Sequence, residues 1–194
     1  MDLLVFAHKK EALAFLNNNG FADKIFQMKG IYQNKQGFLL ITGQGLENAS
    51  HKIESFLKNN SGIKRIINMG TAGCLSSKIK TDEIYSVRKV LAPEISSIQF
   101  QSASSDSKFD CVSVKQPISS HVLKKLEPSV ALVDMELWSI AHIADTYKIP
   151  FFSYKIVSDV ASEQVDREKI IKKAQFYSKK LWDYYRKYIN NDLV

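Results

Sequence analysis

Hydrophobic positions follow two alternating patterns along this 194-residue chain. Short runs rich in Val, Ile, Leu and Phe are typical of buried strands, and apolar residues three or four positions apart are typical of amphipathic helices. Strands that alternate with helices predict an α/β fold, a three-layer sandwich with a mixed, mostly parallel central sheet. The predicted strands are 3–6, 38–42, 65–69, 83–92, 111–114, 131–133 and 151–157, and the predicted helices are 9–18, 47–60, 119–126, 135–147 and 163–189.

One polar segment interrupts this alternation. Residues 93–108 are rich in serine, which predicts a loop or a mobile flap. The chain contains no internal repeat and no clear linker. Because a chain of this length can bury about 70% of its unfolded surface, we expect a single domain over residues 1–194.

Composition and charge narrow the class of protein. Hydrophobic residues make up 45% of the chain and charged residues 24%, which is ordinary for a soluble globular protein. The net charge of +7 is concentrated in residues 166–189, where apolar residues recur at helical spacing. The basic residues therefore form the solvated face of an amphipathic helix, and an RNA-binding or membrane-surface patch is the alternative. The apolar stripe of this helix comprises Ile170, Ile171, Ala174, Tyr177, Leu181 and Tyr185.

The chain has no apolar run long enough for a spanning helix and no signal-peptide pattern, so we expect a cytoplasmic protein without membrane contact. Cys74 and Cys111 are expected to be reduced, partly buried thiols. No His/Cys/Asp cluster has metal-ligand spacing, so the sequence predicts neither a metal nor an organic cofactor.

Two acidic landmarks lie near the C-terminal third. Glu136 lies in VDMELWSIA (133–141) and Asp159 ends FFSYKIVSD (151–159), each just after an apolar, strand-like run. An α/β sheet opens its ligand crevice at such strand ends, so the two segments predict paired acid chemistry.

Three further features precede these landmarks. TGQG (42–45) follows a predicted strand and precedes a helix, so its glycines would let backbone amides approach an anionic or hydroxyl-rich ligand. NMGTAG (68–73) repeats this pattern after the next strand, and its small residues would let a flat ligand lie against the backbone. Glu11 is expected on the first helix, about one and a half turns after the first strand.

In this order, Glu11, TGQG, NMGTAG, VDME and the Ser158–Asp159 pair resemble the nucleoside phosphorylase and nucleosidase superfamily. The chain looks most like the bacterial 5′-methylthioadenosine/S-adenosylhomocysteine nucleosidases, and the resemblance covers nearly its whole length. It implies an enzyme that hydrolyses the N-glycosidic bond of a purine nucleoside, and it implies a homodimer.

The resemblance also implies roles for individual residues. Asp159 would be the general acid that protonates the purine at N7, and Ser158 would orient its carboxyl group. Glu11 would activate the attacking water. Met135 would pack against the ribose, and Glu136 would accept hydrogen bonds from the ribose hydroxyls.

Other substrate contacts follow from the same resemblance. Thr42 and Gly43 would lie near the sugar, and Ile118 near the base. Two implied positions depart from the family pattern: His8 replaces an apolar residue near the 5′ group, and Lys155 replaces an arginine.

The chemistry of the bond supports the same residue types. Breaking an N-ribosidic bond develops positive charge on the sugar and negative charge on the base, so an acid is needed at the base and a carboxylate near the sugar. Each carboxylate also has a purely structural interpretation. Asp159 could cap a helix, Glu136 could favour a helix N-terminus, and Glu11 could be a surface residue.

The nucleophile is expected to be water, because a phosphate dianion is usually held by arginine forks. The four arginines do not fall at the family's phosphate positions, and Asn68 occupies one of those positions. Lys9 or Lys10 could substitute as point charges, which keeps phosphorolysis open. The remaining alternatives are a futalosine hydrolase, a non-catalytic nucleoside-binding protein and, on charge alone, a nucleic-acid-binding protein. The arginines are Arg65, Arg88, Arg167 and Arg186.

Overall fold

The computed structural model describes residues 1–18, 20–23, 29–104, 107–116, 126, 128–161 and 167–190. The strands are β1 (Asp2–Phe6), β2 (Ala22–Asp23), β3 (Ile31–Gln33), β4 (Gly37–Ile41), β5 (Arg65–Cys74), β6 (Ile84–Ala92), β7 (Ser96–Gln101), β8 (Phe109–Ser113), β9 (Val130–Asp134) and β10 (Phe151–Val160). The helices are α1 (Leu13–Asn18), α2 (Leu46–Asn59), α3 (Leu137–Thr146) and α4 (Arg167–Tyr184), which continues as a π-helical turn over Tyr185–Ile189. The predicted helix 119–126 lies almost entirely outside the described residues.

Strand β5 is the centre of the sheet because it has three partners. Strand β10 pairs in parallel with one edge of β5, along the β5 residues from Ile66 to Cys74. The other edge is divided between β1, which pairs as far as Asn68, and β9, which pairs from Gly73 onwards. Between these two partners, residues 69–72 of β5 have no neighbouring strand on that edge among the described residues. The gap between β1 and β9 at these residues, here called the fork of β5, is where a cavity opens.

The predicted α/β fold with a mixed sheet is confirmed, with parallel pairs such as β1–β4 and antiparallel pairs such as β6–β10. The predicted three-layer sandwich does not describe the whole sheet. Strand β10 pairs with both β5 and β6, and the order β10–β6–β8–β9–β5 therefore closes on itself as a barrel. Strands β1, β4, β3 and β2 extend from β5 beyond the barrel.

Side chains that alternate along the strands belong to two hydrophobic clusters, one on each face of the sheet. Leu3 and Val5 of β1 pack with the buried faces of α2 and α3, whereas Leu4 and Phe6 pack with α1 and α4. This alternation follows from the two-residue period of a strand that is buried on both sides. Helices on both faces therefore hold the fork of β5 in place.

Several sequence-based boundaries are wrong, for identifiable reasons. Segment 93–108 is not simply a loop, because 96–101 forms β7, which pairs with β6 and buries Phe100. The small residues of NMGTAG have weak strand preference, but β5 continues through them because β10 pairs with them. Glu11 lies in the turn before α1 rather than on the helix. In α4, Ile171 is 55% exposed, although the sequence places it in the buried stripe.

No helix in the described part of the chain combines the length and apolar character that crossing a bilayer requires.

Candidate active site

A cavity of about 540 Å³ opens at the fork of β5. It is bounded by the turn after β1, the carboxyl ends of β5 and β9, strand β10 and one face of α4. Polar groups lie along its strand side, and apolar side chains of α4 form the opposite wall. Its titratable side chains are His8, Lys9, Lys10, Glu11, Asp134, Glu136, Lys155, Asp159 and Tyr177.

Glu11 reaches the unpaired segment of β5. Its Oε1 accepts hydrogen bonds from the backbone N–H and the hydroxyl of Thr71, at 2.9 and 2.8 Å. Its Oε2 accepts the backbone N–H of His8 at 3.1 Å. The carboxylate also lies against Gly70, where an added Cβ would come within 3.3 Å of Oε1. Glu11 is only 5% exposed, and three hydrogen-bond donors fix its carboxylate. It is therefore not an ordinary surface residue.

Glu136 occupies the N-cap position of α3, but its carboxylate does not cap that helix. Its Oε1 instead accepts the backbone N–H of Gly45 at 2.7 Å. Gly45 precedes the first turn of α2, and its φ of +95° is in the region that favours glycine. The sequence predicts that the TGQG amides approach an anionic or hydroxyl-rich ligand, whereas in the structure the Gly45 amide is bonded to the Glu136 carboxylate of the protein itself.

The side chain that fixes the start of α3 is Asp134, which the sequence analysis did not select. Its Oδ2 accepts the backbone N–H of Leu137 at 3.0 Å, and its Oδ1 accepts the hydroxyl of Ser113 at 2.6 Å. Lys155 of β10 completes the group, with its Nζ 2.8 Å from Asp134 Oδ2. The segment that carries Glu136 is thus attached to β8, β10 and α3 at once.

Ser158 and Asp159 lie inside β10, at an irregularity of the strand. The register with β5 shifts between Val157 and Asp159, as in a β-bulge, which is a common way to redirect a side chain next to a site. The Ser158 hydroxyl donates a hydrogen bond to Asp159 Oδ1. Since Asp159 is part of a strand, it does not cap a helix at this position.

Burial governs the electrostatics of the cavity floor. It raises the pKa of Glu136 to about 7, and the negative charge of Asp134 acts in the same direction, whereas Lys155 opposes both. Burial, the largest single influence, acts to lower the pKa of Lys155, but the neighbouring acidic groups, Asp134 foremost, together outweigh it and the pKa is raised. Lys155 therefore stays charged at neutral pH, whereas Glu136 titrates near it.

The other predicted contacts lie at different depths. Met135 lines the cavity, and its Sδ accepts the side-chain amide of Gln44 at 3.0 Å. His8 lines the mouth and is exposed. Thr42 and Gly43 lie just behind the lining, where the Thr42 hydroxyl is hydrogen-bonded to the backbone carbonyls of Phe6 and Gly43. Ile118 lies outside the described residues.

Sequence reasoning missed several residues of the cavity. Asp134 is the last residue of β9, so the strand-end rule that selected Glu136 applies to it equally. Thr71 lies within NMGTAG, but only the fold shows that its two donors face Glu11. Tyr177 was assigned to the core; it is buried, and it also lines the cavity and donates to the Ser158 carbonyl at 3.2 Å.

Cys74 and Cys111 are both free and buried. Among the residues whose positions are described, no three His, Cys, Asp or Glu side chains are arranged to hold a metal ion.

Solved structures of nucleosidases share this fold over almost the whole chain. The 5′-methylthioadenosine/S-adenosylhomocysteine nucleosidase of Helicobacter pylori, solved with butyl-thio-DADMe-Immucillin-A, has a TM-score of 0.81 at 15% identity, covering 98% of this chain and 97% of that chain. A nucleosidase (MTAN) of Chlamydia trachomatis has a TM-score of 0.73 at 20% identity, covering 97% and 98%. The futalosine hydrolase of Helicobacter pylori has a TM-score of 0.77 at 16% identity, covering 93% and 95%.

No protein-family model and no curated protein sequence matches the chain. At identities of 13–20% the likeness lies in the fold. The chain thus has the fold that its sequence resemblance predicts, the one seen in the methylthioadenosine/S-adenosylhomocysteine nucleosidases and in futalosine hydrolase.

Proposed function

We propose that the protein hydrolyses the N-glycosidic bond of a purine nucleoside of the 5′-methylthioadenosine or S-adenosylhomocysteine type. The observation that carries this proposal is the convergence of Glu11, Glu136 and Asp159 on one cavity from three separate parts of the chain. Each of these carboxylates already has a hydrogen-bond donor that orients it. The nucleoside analogue in the Helicobacter pylori nucleosidase supports a nucleoside as the ligand class.

Asp159 supplies the acid at the base. Because the Ser158 hydroxyl donates to Oδ1, that oxygen acts as an acceptor, and Oδ2 is left to carry the proton. As the bond between the sugar and the base breaks, its electron pair moves onto the purine and the Oδ2 proton moves to N7. Protonation prevents negative charge from accumulating on the leaving group.

Glu11 and Glu136 act on the sugar side. Glu11 accepts a proton from the water that attacks the anomeric carbon, so Asp159 loses one proton while Glu11 gains one. Glu136 accepts hydrogen bonds from the ribose hydroxyls, and Met135, next to it on the cavity wall, packs against the ribose. The negative charge of the carboxylates also stabilises positive charge that develops on the sugar.

Water is favoured over phosphate as the nucleophile because three of the four arginines have partners elsewhere. Arg65 pairs with Asp2 at 2.9 Å and Arg88 with Asp110 at 2.7 Å. Arg186 lies over the ring of Trp182. The cations along the cavity are Lys9 and Lys10 at the mouth and Lys155, which is already paired with Asp134.

The experiment is an assay of free-base release by the purified protein. Methylthioadenosine, S-adenosylhomocysteine, adenosine, inosine and futalosine are each supplied with and without phosphate, and the Asp159→Asn variant is the matched control. Release that does not depend on phosphate and is lost in the variant supports the proposal. Strict dependence on phosphate indicates a phosphorylase, preference for futalosine indicates a futalosine hydrolase, and no release from any nucleoside rejects the proposal.

We also propose that the protein is a homodimer in solution. Strand β7 pairs with β6 along one edge. Ile95, just before β7, is 37% exposed, and Ile98, within β7, is 55% exposed. An exposed apolar edge of this kind is typical of an interface. Light scattering at micromolar concentration tests this, and the mass of a single chain would contradict it.

A further inference from the structure

Asp82 has an unusual backbone conformation next to the candidate acid. It lies in the turn before β6 with a φ of +65°, a region that residues other than glycine rarely adopt. Such a conformation persists only when surrounding contacts impose it, and it is frequent at functional sites. The contacts that hold Asp82 in this conformation therefore show which parts of the molecule it connects.

The backbone and side chain of Asp82 connect two elements of the cavity. Its N–H donates to the carbonyl of Val157 at 2.8 Å, immediately before the irregularity that carries Ser158 and Asp159. Both oxygens of its carboxylate accept hydrogen bonds from the Lys173 ammonium of α4, at 3.1 and 3.0 Å. Lys180, two turns further along α4, donates to the Asp82 carbonyl at 2.6 Å.

Tyr177 lies between these two lysines on α4 and links the group to the site. Its hydroxyl donates to the Ser158 carbonyl at 3.2 Å. Tyr177 and Ala174 also form part of the cavity wall. Contacts that draw this part of α4 toward β10 therefore shape the cavity and hold the backbone of Ser158.

We propose that Asp82 is a positioning residue for the Ser158–Asp159 pair, acting through Val157 on β10 and through Lys173 on α4, the helix that carries Tyr177. The catalytic part of this inference rests on the proposed nucleosidase function. Asp82 does not contact the reacting atoms. Its effect is to fix the orientation of the Asp159 carboxyl group relative to the purine. A displacement of the order of 1 Å in such a group can cost about 100-fold in rate.

Two variants at this position separate the carboxylate from the backbone conformation. Asp82→Gly adopts a φ of +65° without strain, so it retains the turn while removing the carboxylate. Asp82→Asn also tolerates this conformation and keeps an acceptor oxygen for Lys173. Lys148→Gly is the matched control, because Lys148 also has a positive φ, of 55°, but lies beyond the end of α3 with an exposed side chain.

In steady-state kinetics with the nucleoside that the wild type cleaves best, Asp82→Gly is expected to lower kcat about 10-fold or more with little change in KM. Asp82→Asn should recover part of this loss, and Lys148→Gly should behave as the wild type. A general weakening of the fold would instead lower thermal stability and affect both kinetic parameters. Wild-type kcat in Asp82→Gly would overturn the catalytic part of the proposal.

Hydrogen exchange of the intact protein gives a readout that does not need turnover. Amides in the 170–181 part of α4 are expected to exchange about 10-fold faster in Asp82→Gly and unchanged in Lys148→Gly. Unchanged exchange in Asp82→Gly would overturn the proposal. If the wild type releases no base from any nucleoside, the proposed function fails, and the exchange measurement still decides whether Asp82 holds α4 against β10.

Discussion

The Lys155 ammonium lies 2.8 Å from the Asp134 carboxylate, and both side chains are almost completely buried at the base of the cavity. The pair joins β10 to the end of β9, two residues before Glu136. A buried ion pair is weak evidence for stability, because removing two charges from water costs about as much as their attraction returns. Removing one partner is different, since it leaves the other charge buried and uncompensated.

Lys155→Met is therefore expected to lower the free energy of unfolding by about 3–5 kcal/mol, because Asp134 would keep its burial and lose its cation. Urea unfolding at neutral pH measures this change. Lys148→Met removes one partner of an exposed ion pair, between Lys148 and Asp145, and should change stability by less than about 0.5 kcal/mol. A loss at Lys155 as small as that at Lys148 would show that Asp134 does not depend on the pair.

Glu136 makes the stability of the protein depend on pH in a defined direction. Its pKa is raised from the model-compound value of 4.5 to about 7, so between these values the folded state binds more protons than the unfolded state. The free energy of unfolding contributed by Glu136 therefore falls as pH rises from about 4.5 to about 7, by at most about 3 kcal/mol.

Replacing Glu136 with Gln isolates this contribution, because the amide does not titrate. Thermal or urea unfolding of both proteins between pH 4.5 and 8 should show the variant gaining stability relative to the wild type as pH rises. The titratable groups that act on Glu136 are Asp134 on β9, Lys155 on β10 and Glu11 in the turn before α1, with Cys111 on β8 also nearby, and the backbone N–H of Gly45 lowers its pKa. A constant difference between the two proteins would mean that Glu136 has an ordinary pKa in the fold.

How much of this fold was predictable depends on which residues gave the signal. The apolar strands β1, β4 and β10 were located to within a few residues because their runs of Leu, Ile, Val and Phe are continuous. Strand β7 has a weak sequence signal because its serines are typical of loops and, although Phe100 is buried, Ile98 is 55% exposed. Closure of the barrel depends on β10 meeting both β5 and β6, a long-range pairing that has no local signal.

The candidate site shows the same division. Glu11, Glu136 and Asp159 were selected by motif order, and all three line the cavity. The groups that orient them are harder to foresee, because Thr71 lies in β5, 60 positions from Glu11, and Gly45 lies 91 positions from Glu136. Only the folded backbone brings such pairs together, so the sequence predicts the carboxylates of the cavity better than the groups that orient them.

Asp159→Asn is expected to lower base release about 100- to 10,000-fold, the usual contribution of a general acid, while leaving nucleoside binding largely intact. The side chain keeps its size, and Oδ1 can still accept from Ser158, so the loss would come from the missing proton. Turnover and equilibrium binding of a non-hydrolysable nucleoside analogue, measured on the same preparation, separate the two effects. Near wild-type turnover would remove Asp159 from the role of acid.

The hydroxyl of Thr71 gives the sharpest test of Glu11, because two substitutions there differ by a single function. Thr71→Val keeps nearly the same shape and removes the 2.8 Å hydrogen bond to Glu11 Oε1, whereas Thr71→Ser keeps the hydroxyl and loses a methyl group. Glu11 would retain the backbone donors of Thr71 and His8, so it stays at the cavity but with less restricted orientation. We therefore expect Thr71→Val to lower kcat about 10-fold with KM little changed, and Thr71→Ser to stay near the wild type. If steady-state assays show equal losses in both variants, the methyl group matters rather than the hydrogen bond, and the Thr71 hydroxyl does not orient Glu11.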